Sequence, residues 1–189
     1  MLPTRRPLEQ PPDEADPIAA EFRASYKANY REVRRYVGRL SGSPFAADDM
    51  TQEAFVRLWC ELSSGTEIQN PRAWLYKVAG RIVLSRARTL QRRRHLDGGG
   101  SESPDDIRCG ASSPEAKTTE RDLVRRALVQ LPTPMRQCLL LYHAGLTGKE
   151  IAAALDVKPS YVGTLVMRGH ERFRRECAAL GVLHPFGRE

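Results

Sequence analysis

The feature that most restricts how this chain can fold is the spacing of its apolar residues, which recur every three or four positions through nearly every patterned stretch. Ile18, Phe22, Tyr26, Tyr30, Val33, Val37 and Leu40 line one face of a long helix. The break at Ser41-Gly42-Ser43-Pro44 places Ser43 as an N-cap with Pro44 at the first helical position. Ala47, Met50, Ala54, Phe55, Leu58 and Leu62 then continue a second helix, and Ser63 to Gln69 reads as a loop. Asn70-Pro71 repeats the cap-plus-proline signal and opens a third helix with Ala73, Trp74, Tyr76, Lys77, Val78, Ile82 and Leu84, ending in a run of arginines. Three helices in about 80 residues make a small all-α unit.

The stretch from Asp97 through three glycines to Ser113-Pro114 has the Gly, Ser, Pro and acid content of a flexible linker. Beyond it, Leu123, Val124, Ala127, Leu128 and Leu131 mark a short helix stopped by Pro132, and Thr133-Pro134 opens another that carries Cys138, Leu139 and Tyr142 and ends at Gly145. Thr147 and Glu150 are spaced as a capping box, with Leu146 and Ile151 as its hydrophobic staple. After the turn Asp156-Val157-Lys158, Pro159 starts a last helix whose inward face holds Val162, Leu165, Val166, Gly169 and Phe173. The expected fold is therefore all-α, two small helical domains joined by a flexible linker, the C-terminal one a helix-turn-helix. The expected boundaries are a disordered tail at 1–13, a domain at 14–96, a linker at 97–117, a domain at 118–180 and a tail at 181–189.

Composition bears mainly on partners. The net charge of +7 is not spread evenly, because residues 71–95 carry eight Lys and Arg and no acid, more than the whole net charge. A like-charged helix repels itself and gains by neutralising a polyanion, although such a run can also be a solvated face. Trp74 and Tyr76 on that helix add rings that can stack unpaired bases, with Trp74 equally readable as core. Asp49, Gln52, Glu53 and Arg57 lie off the apolar stripe of the second helix. An acidic face in a basic protein suggests a protein partner, with a solvated face as the alternative.

The longest apolar run, Cys138 to Tyr142, is far short of the roughly 18 residues needed to cross a bilayer, so no membrane span or secretion signal is expected. Cysteines at 60, 109, 138 and 177 form no C-x-x-C pair and sit at no zinc spacing with histidine. Cys60, Cys138 and Cys177 read as small apolar residues on helix faces in a reducing cytoplasm. His95, His143, His170 and His184 are dispersed, and no P-loop or nucleophile elbow is present, so neither an enzyme nor a cofactor or metal site is expected.

Gly148 to Arg175 has the helix-turn-helix layout, with small Ala152 and Ala153 facing inward and Ser160, Tyr161, Gly163, Thr164, Met167 and Arg168 facing outward, against an ordinary helical hairpin as the alternative. Together with Ala47-Asp48-Asp49-Met50-Thr51-Gln52-Glu53-Ala54-Phe55-Val56-Arg57-Leu58-Trp59, Pro71 to Ala79 and Leu131-Pro132 to Arg168, this layout resembles a bacterial sigma factor of the sigma-70 family, in its extracytoplasmic-function (ECF) group. The resemblance implies a transcription initiation factor of the cytoplasm that binds core RNA polymerase, directs it to promoter DNA and helps to open the −10 element. It implies docking of Asp49, Gln52, Glu53 and Arg57 on the β′ clamp helices and of the C-terminal domain on the β flap. It further implies −10 contacts by Thr66, Gln69, Asn70, Arg72, Trp74, Lys77, Arg81 and Arg88, and −35 contacts by Lys149, Lys158, Ser160, Tyr161, Thr164 and Arg168. An anti-sigma factor is a further partner that it leaves open. The chain departs from the family pattern at Arg81 and Ser85, where the family usually has Asn and Asp, and at Gly169, where it usually has alanine. Its recognition helix is also less basic than is usual for the family. Two other readings stand beside this one: a LuxR-type helix-turn-helix regulator, which Gly145 to Phe173 also resembles, and an RNA-binding or interaction protein using the arginine run.

Overall fold

The structure, a computed structural model, describes residues 16–96 and 120–181. The expected tail at 1–13, the linker at 97–117 and all but the first residue of the tail from 181 lie outside the described residues. Within them there are seven helices: α1 (Pro17–Ser41), α2 (Ala47–Ser63), α3 (Pro71–Leu96), α4 (Glu120–Val129), α5 (Thr133–His143), α6 (Gly148–Leu155) and α7 (Pro159–Ala179). No strand occurs among the described residues, and the fold class is all-α.

Local chemistry sets most of the ends. Asp16 accepts a hydrogen bond from the Ile18 amide at 2.9 Å with Pro17 as the first helical residue, and α1 stops at Gly42 in the left-handed region at φ 68°. Asn70 caps α3 by accepting from the Ala73 amide at 2.9 Å, as its sequence predicts. Thr147 and Glu150 close the capping box of α6, with the Glu150 carboxylate accepting from the Thr147 amide at 2.7 Å and the Thr147 hydroxyl accepting from the Glu150 amide at 3.3 Å. Leu146 and Ile151, the expected staple, are both buried.

The start of α2 differs from expectation. Ser43 is not its N-cap. The Ser41 hydroxyl instead bridges the Ser43 carbonyl (3.1 Å) and amide (3.2 Å), and the Pro44 carbonyl accepts from the Ala47 amide at 3.2 Å, so Pro44 belongs to a turn before the helix. The first helical turn has no side-chain cap, and Asp48 and Asp49 there oppose the positive end of the helix dipole.

Val33, Val37 and Leu40 of α1, Met50, Ala54, Phe55, Leu58 and Leu62 of α2, and Leu75, Tyr76, Ala79, Ile82 and Val83 of α3 are buried together. In the C-terminal half, α5 packs on α6 and α7 through Cys138, Leu139, Leu141, Ile151, Ala152, Val162, Leu165 and Phe173. One expected inward residue does not face inward, since Ala153 is exposed on α6; of the cysteines read as small apolar residues on helix faces, Cys60 is exposed on α2, while Cys138 and Cys177 are buried. Both exposed residues fall off the apolar stripe, where a helix turns 100° per residue.

The two halves are not held apart. The apolar core runs through both, with α6 against α3 and with α4 and α5 against α1. At the centre of this seam Gly80 of α3 meets Tyr36 of α1 and Gln137 of α5, all three buried. A β-carbon at Gly80 would lie 2.9 Å from the Tyr36 hydroxyl and 3.0 Å from Gln137 Nε2, closer than such atoms pack.

Gly80→Ala and Gly169→Ala should therefore behave oppositely, although each removes a helix-interior glycine worth roughly 1 kcal/mol of propensity. At Gly169 the new methyl would sit 3.5 Å from the Met135 carbonyl oxygen, an ordinary contact, so this variant should melt at a higher temperature than the parent. At Gly80 the expected result is faster amide exchange in α5 and α6 with α1–α3 still protected; equal stabilisation of both variants would contradict the packing described at the seam.

Candidate nucleic-acid interface

The sequence-predicted site residues fall into three groups, which the fold treats differently. On α2, Asp49, Gln52, Glu53 and Arg57 share one face, and Asp49, Gln52 and Arg57 are exposed. Glu53 is half-buried because it pins two cations: its carboxylate oxygens accept from Arg57 at 2.7 Å and from Arg86 of α3 at 2.9 Å. Asp48, next to Asp49, is held by Arg34 of α1, and that guanidinium keeps its carboxyl below the usual range. Val56, 60% exposed, and Cys60 complete the α2 face. Sequence reasoning did not include either in this face because it looked there for charged and polar groups; their spacing from Gln52 and Glu53 was the signal available.

The second group lies on α3 and the loop before it. Thr66 and Gln69 are exposed, and the Thr66 hydroxyl lies 3.0 Å from that of Ser64. Asn70, Lys77, Arg81 and Arg88 follow one another at multiples of about 3.6 residues, along one line of the helix. That line is turned towards the C-terminal half. Asn70 Nδ2 donates to Glu150, Arg72 donates to the Ala144 carbonyl, and Lys77, Arg81 and Arg88 line a cavity of about 390 Å³ with Gln137, Leu141, Leu155 and Asp156. The Thr147 amide and hydroxyl hold the Glu150 carboxyl below the usual range, and Asn70 adds to that effect.

Two expectations for this helix need correction. Tyr76 is 1% exposed, with its ring edge-on to Tyr36 at 5.1 Å between centroids, so it cannot stack bases; Trp74 is half-buried and packs against the core. Nor are the cations all uncompensated, since Arg86 pairs with Glu53 and Arg72 is spent on a carbonyl. The reason is geometric: on a helix covered on several sides, the residues between the basic ones are core.

The third group is brought together on the solvent face of the C-terminal half. Lys149, Lys158, Ser160, Tyr161 and Arg168 are exposed and Thr164 is half-exposed, with Gly163 and Met167 beside them. The turn that sets α7 against α6 depends on Asp156 at φ 59°, a left-handed conformation that Asp tolerates better than most residues, and on the Val157 amide donating to Ala152 at 3.0 Å. Val162, Leu165, Gly169 and Phe173 are buried on the opposite face of α7.

With this geometry in view, two family models match the chain: sigma-70 region 2 over residues 25–93, and sigma-70 region 4 over residues 121–172. The first spans most of α1 with α2 and α3, the second α4 to α7. The ECF RNA polymerase sigma factor SigW of Bacillus subtilis is 26% identical over 147 residues, 73% of this chain and 79% of that protein. SigL of Mycobacterium tuberculosis, named likewise, is 28% identical over 149 residues, 74% and 77% of the two chains. The chain belongs to the ECF group of the sigma-70 family. The sigma factor RpoE of Bartonella quintana, solved in complex with the anti-sigma factor NepR, shares the fold with a TM-score of 0.68 at 19% identity, over 84% of this chain and 97% of that one. The protein is thus a sigma factor that directs RNA polymerase to promoters. Neither family model supports the LuxR-type reading. No described helix is long and apolar enough to cross a membrane.

Within the region 4 match, His143 of α5 and His170 of α7 meet at 3.0 Å between their Nε2 atoms, a contact that dispersed histidines in the sequence did not signal. Burial lowers the pKa of both, with Arg39 acting on His143, and with His143 and Arg174 acting on His170. The unfolded chain therefore takes up these protons first, near pH 6.5, and the pair's contribution is present above that pH and lost as pH falls below it. The melting temperature should drop between about pH 7 and pH 5.5, and His170→Gln should flatten that slope; an unchanged slope would mean other groups control it.

Proposed function

We propose that the three groups of residues divide the work of promoter recognition. Asp49, Gln52, Glu53 and Arg57, with Val56 and Cys60 beside them, form the surface that docks on the β′ clamp helices of core polymerase. Thr66, Gln69 and the α3 line from Asn70 to Arg88, with Arg72 and Trp74, take the −10 element and its unpaired bases. Ser160, Tyr161, Thr164 and Arg168 of α7, with Lys149 and Lys158 at its approach, lie in the major groove of the −35 element, and the C-terminal half docks on the β flap. The factor contributes no chemistry of its own and acts in the bacterial cytoplasm, where its polymerase is. An anti-sigma factor is a further partner, on the analogy of the Bartonella complex.

The observation that carries this division is a difference in exposure. The α2 face stands clear of the C-terminal half, whereas Asn70 and Arg72 bond to Glu150 and Ala144 there, and Lys77, Arg81 and Arg88 line the cavity shared with it. The order of events follows: polymerase docking needs no rearrangement, while −10 capture by Asn70 and Arg72 requires their bonds to the C-terminal half to break. Unstacking bases costs a few kcal/mol each, so the basic line must be free to repay it when the duplex opens.

Reconstituted transcription tests the whole reading. Core polymerase with this protein should initiate at discrete sites in a genomic template pool that neither component uses alone; no such site, with a standard sigma factor active in parallel, would refute it. Asp49→Ala with Gln52→Ala should weaken core binding about tenfold, the scale of an interface anchor, and is cleaner than Glu53→Ala, which would also release Arg86. Arg88→Ala should reduce the salt slope of promoter binding by about one, and an unchanged slope would remove Arg88 from the DNA contact.

A further inference from the structure

The cavity between α3 and the C-terminal half has the chemistry of a ligand site. Its volume of about 390 Å³ lies within the roughly 300–1,000 Å³ of small-molecule pockets. Lys77, Arg81 and Arg88 line it from α3, and among the described residues none of the three has an acidic partner in an ion pair. One carboxylate, Asp156, reaches the same wall from the turn before α7. Tyr76, 1% exposed, also borders the cavity, with the Arg72 guanidinium 6.0 Å from its ring centroid. Leu84, Leu141 and Leu155 supply an apolar side. Three cations facing one carboxylate, beside leucines, suit a multivalent anion with acceptor oxygens.

We propose that this cavity binds an oligophosphate, either a bare one or the phosphate chain of a nucleotide. Arg81, Lys77 and Arg88 take the phosphate oxygens. Because one wall belongs to α3 and the other to α5, α6 and the turn after it, the site exists only while the halves are packed together. A bound oligophosphate therefore holds the arrangement in which the α3 line faces the C-terminal half. That consequence rests on the sigma-factor division of labour proposed above; the binding itself does not.

Calorimetric titration of the full chain with sodium tripolyphosphate and with ATP, at constant ionic strength, tests this. Saturable one-site binding is expected, weakened about tenfold or more by Arg81→Ala or Lys77→Ala, each removing a charge-assisted contact. Asp156→Asn, which keeps a residue tolerant of the left-handed turn, should tighten it, and Arg175→Ala, on the far part of α7, should leave it unchanged. Tighter binding of ATP than of tripolyphosphate assigns the leucines to a base, and the reverse assigns the phosphate chain alone. Absence of saturable binding to either anion overturns the proposal. So does equal weakening by Arg175→Ala and Arg81→Ala, which would mean diffuse charge attraction, or full binding by Gly80→Ala once hydrogen exchange shows its seam open. None of these outcomes touches the reconstituted transcription result, so the two readings fail separately.

Discussion

The arrangement of this sigma factor depends on a missing side chain. Gly80 sits in the middle of α3, where an alanine would favour the helix by about 1 kcal/mol, and the vacated space is filled by the Tyr36 hydroxyl and the Gln137 amide. Burial pushes the Tyr36 phenol well above its ordinary pKa, and the nearby Gln137 offsets part of that shift. A buried polar contact of this kind contributes little net energy but is costly to leave half-made, so it fixes one relative placement of α1, α3 and α5. Once α5 is fixed, its C-terminal carbonyl at Ala144 falls within reach of Arg72, and the capped start of α6 falls within reach of Asn70. The turning of the α3 line towards the C-terminal half is thus a consequence of the junction at Gly80.

The basic helix shows how one element serves several surfaces. Its eight cations look uniform in the sequence, but a 26-residue helix presents different faces to different neighbours. Arg86 faces α2 and ties the helix to Glu53, and Arg72 reaches across to the C-terminal half. Lys77, Arg81 and Arg88 line the seam, while Arg92 and Arg93 continue towards solvent. The ion pairs at Glu53 are partly exposed and contribute little stability. Their effect is to hold Arg57 and Arg86 in place beside the α2 face.

Helix identity and most helix ends were legible in the sequence because they rest on local chemistry: the Asn70 cap, the Thr147–Glu150 box and the glycines at 42 and 145 act within a few residues. The Ser43 cap failed because Pro44 to Ala46 form a turn before α2, which starts at Ala47 with Ala46, not Ser43, at its N-cap position. What the sequence did not reveal was the seam. Arg136 and Gln137 are polar and consecutive, and in an isolated C-terminal domain they would face water; here both are buried. Their burial is decided by contacts with residues about 60 to 100 positions earlier, which no local periodicity encodes. The same reason explains Tyr76, whose place on a basic helix suggested a surface ring until α1 was seen to cover it.

The charge on the C-terminal face sets a last constraint on the proposed mechanism. Sequence-independent affinity for duplex DNA scales with the phosphates neutralised, and the outer face around the start of α7 offers Lys149, Lys158 and Arg168 for that purpose, while the exposed Arg172 and Arg175 further along α7 are paired with Glu176 and Glu171. Three contacts give weak binding at physiological salt. Short polar groups such as Ser160 and Thr164 can discriminate among base edges but add little to that total. On the proposed division, α7 therefore cannot hold a promoter unaided. It selects among sites once polymerase docking through α2 has raised its effective concentration beside the −35 element, and breaking the bonds of Asn70 and Arg72 to the C-terminal half adds the α3 cations to the same complex. Specificity then resides in a surface too weak to act alone, so a free molecule does not occupy promoters without its polymerase.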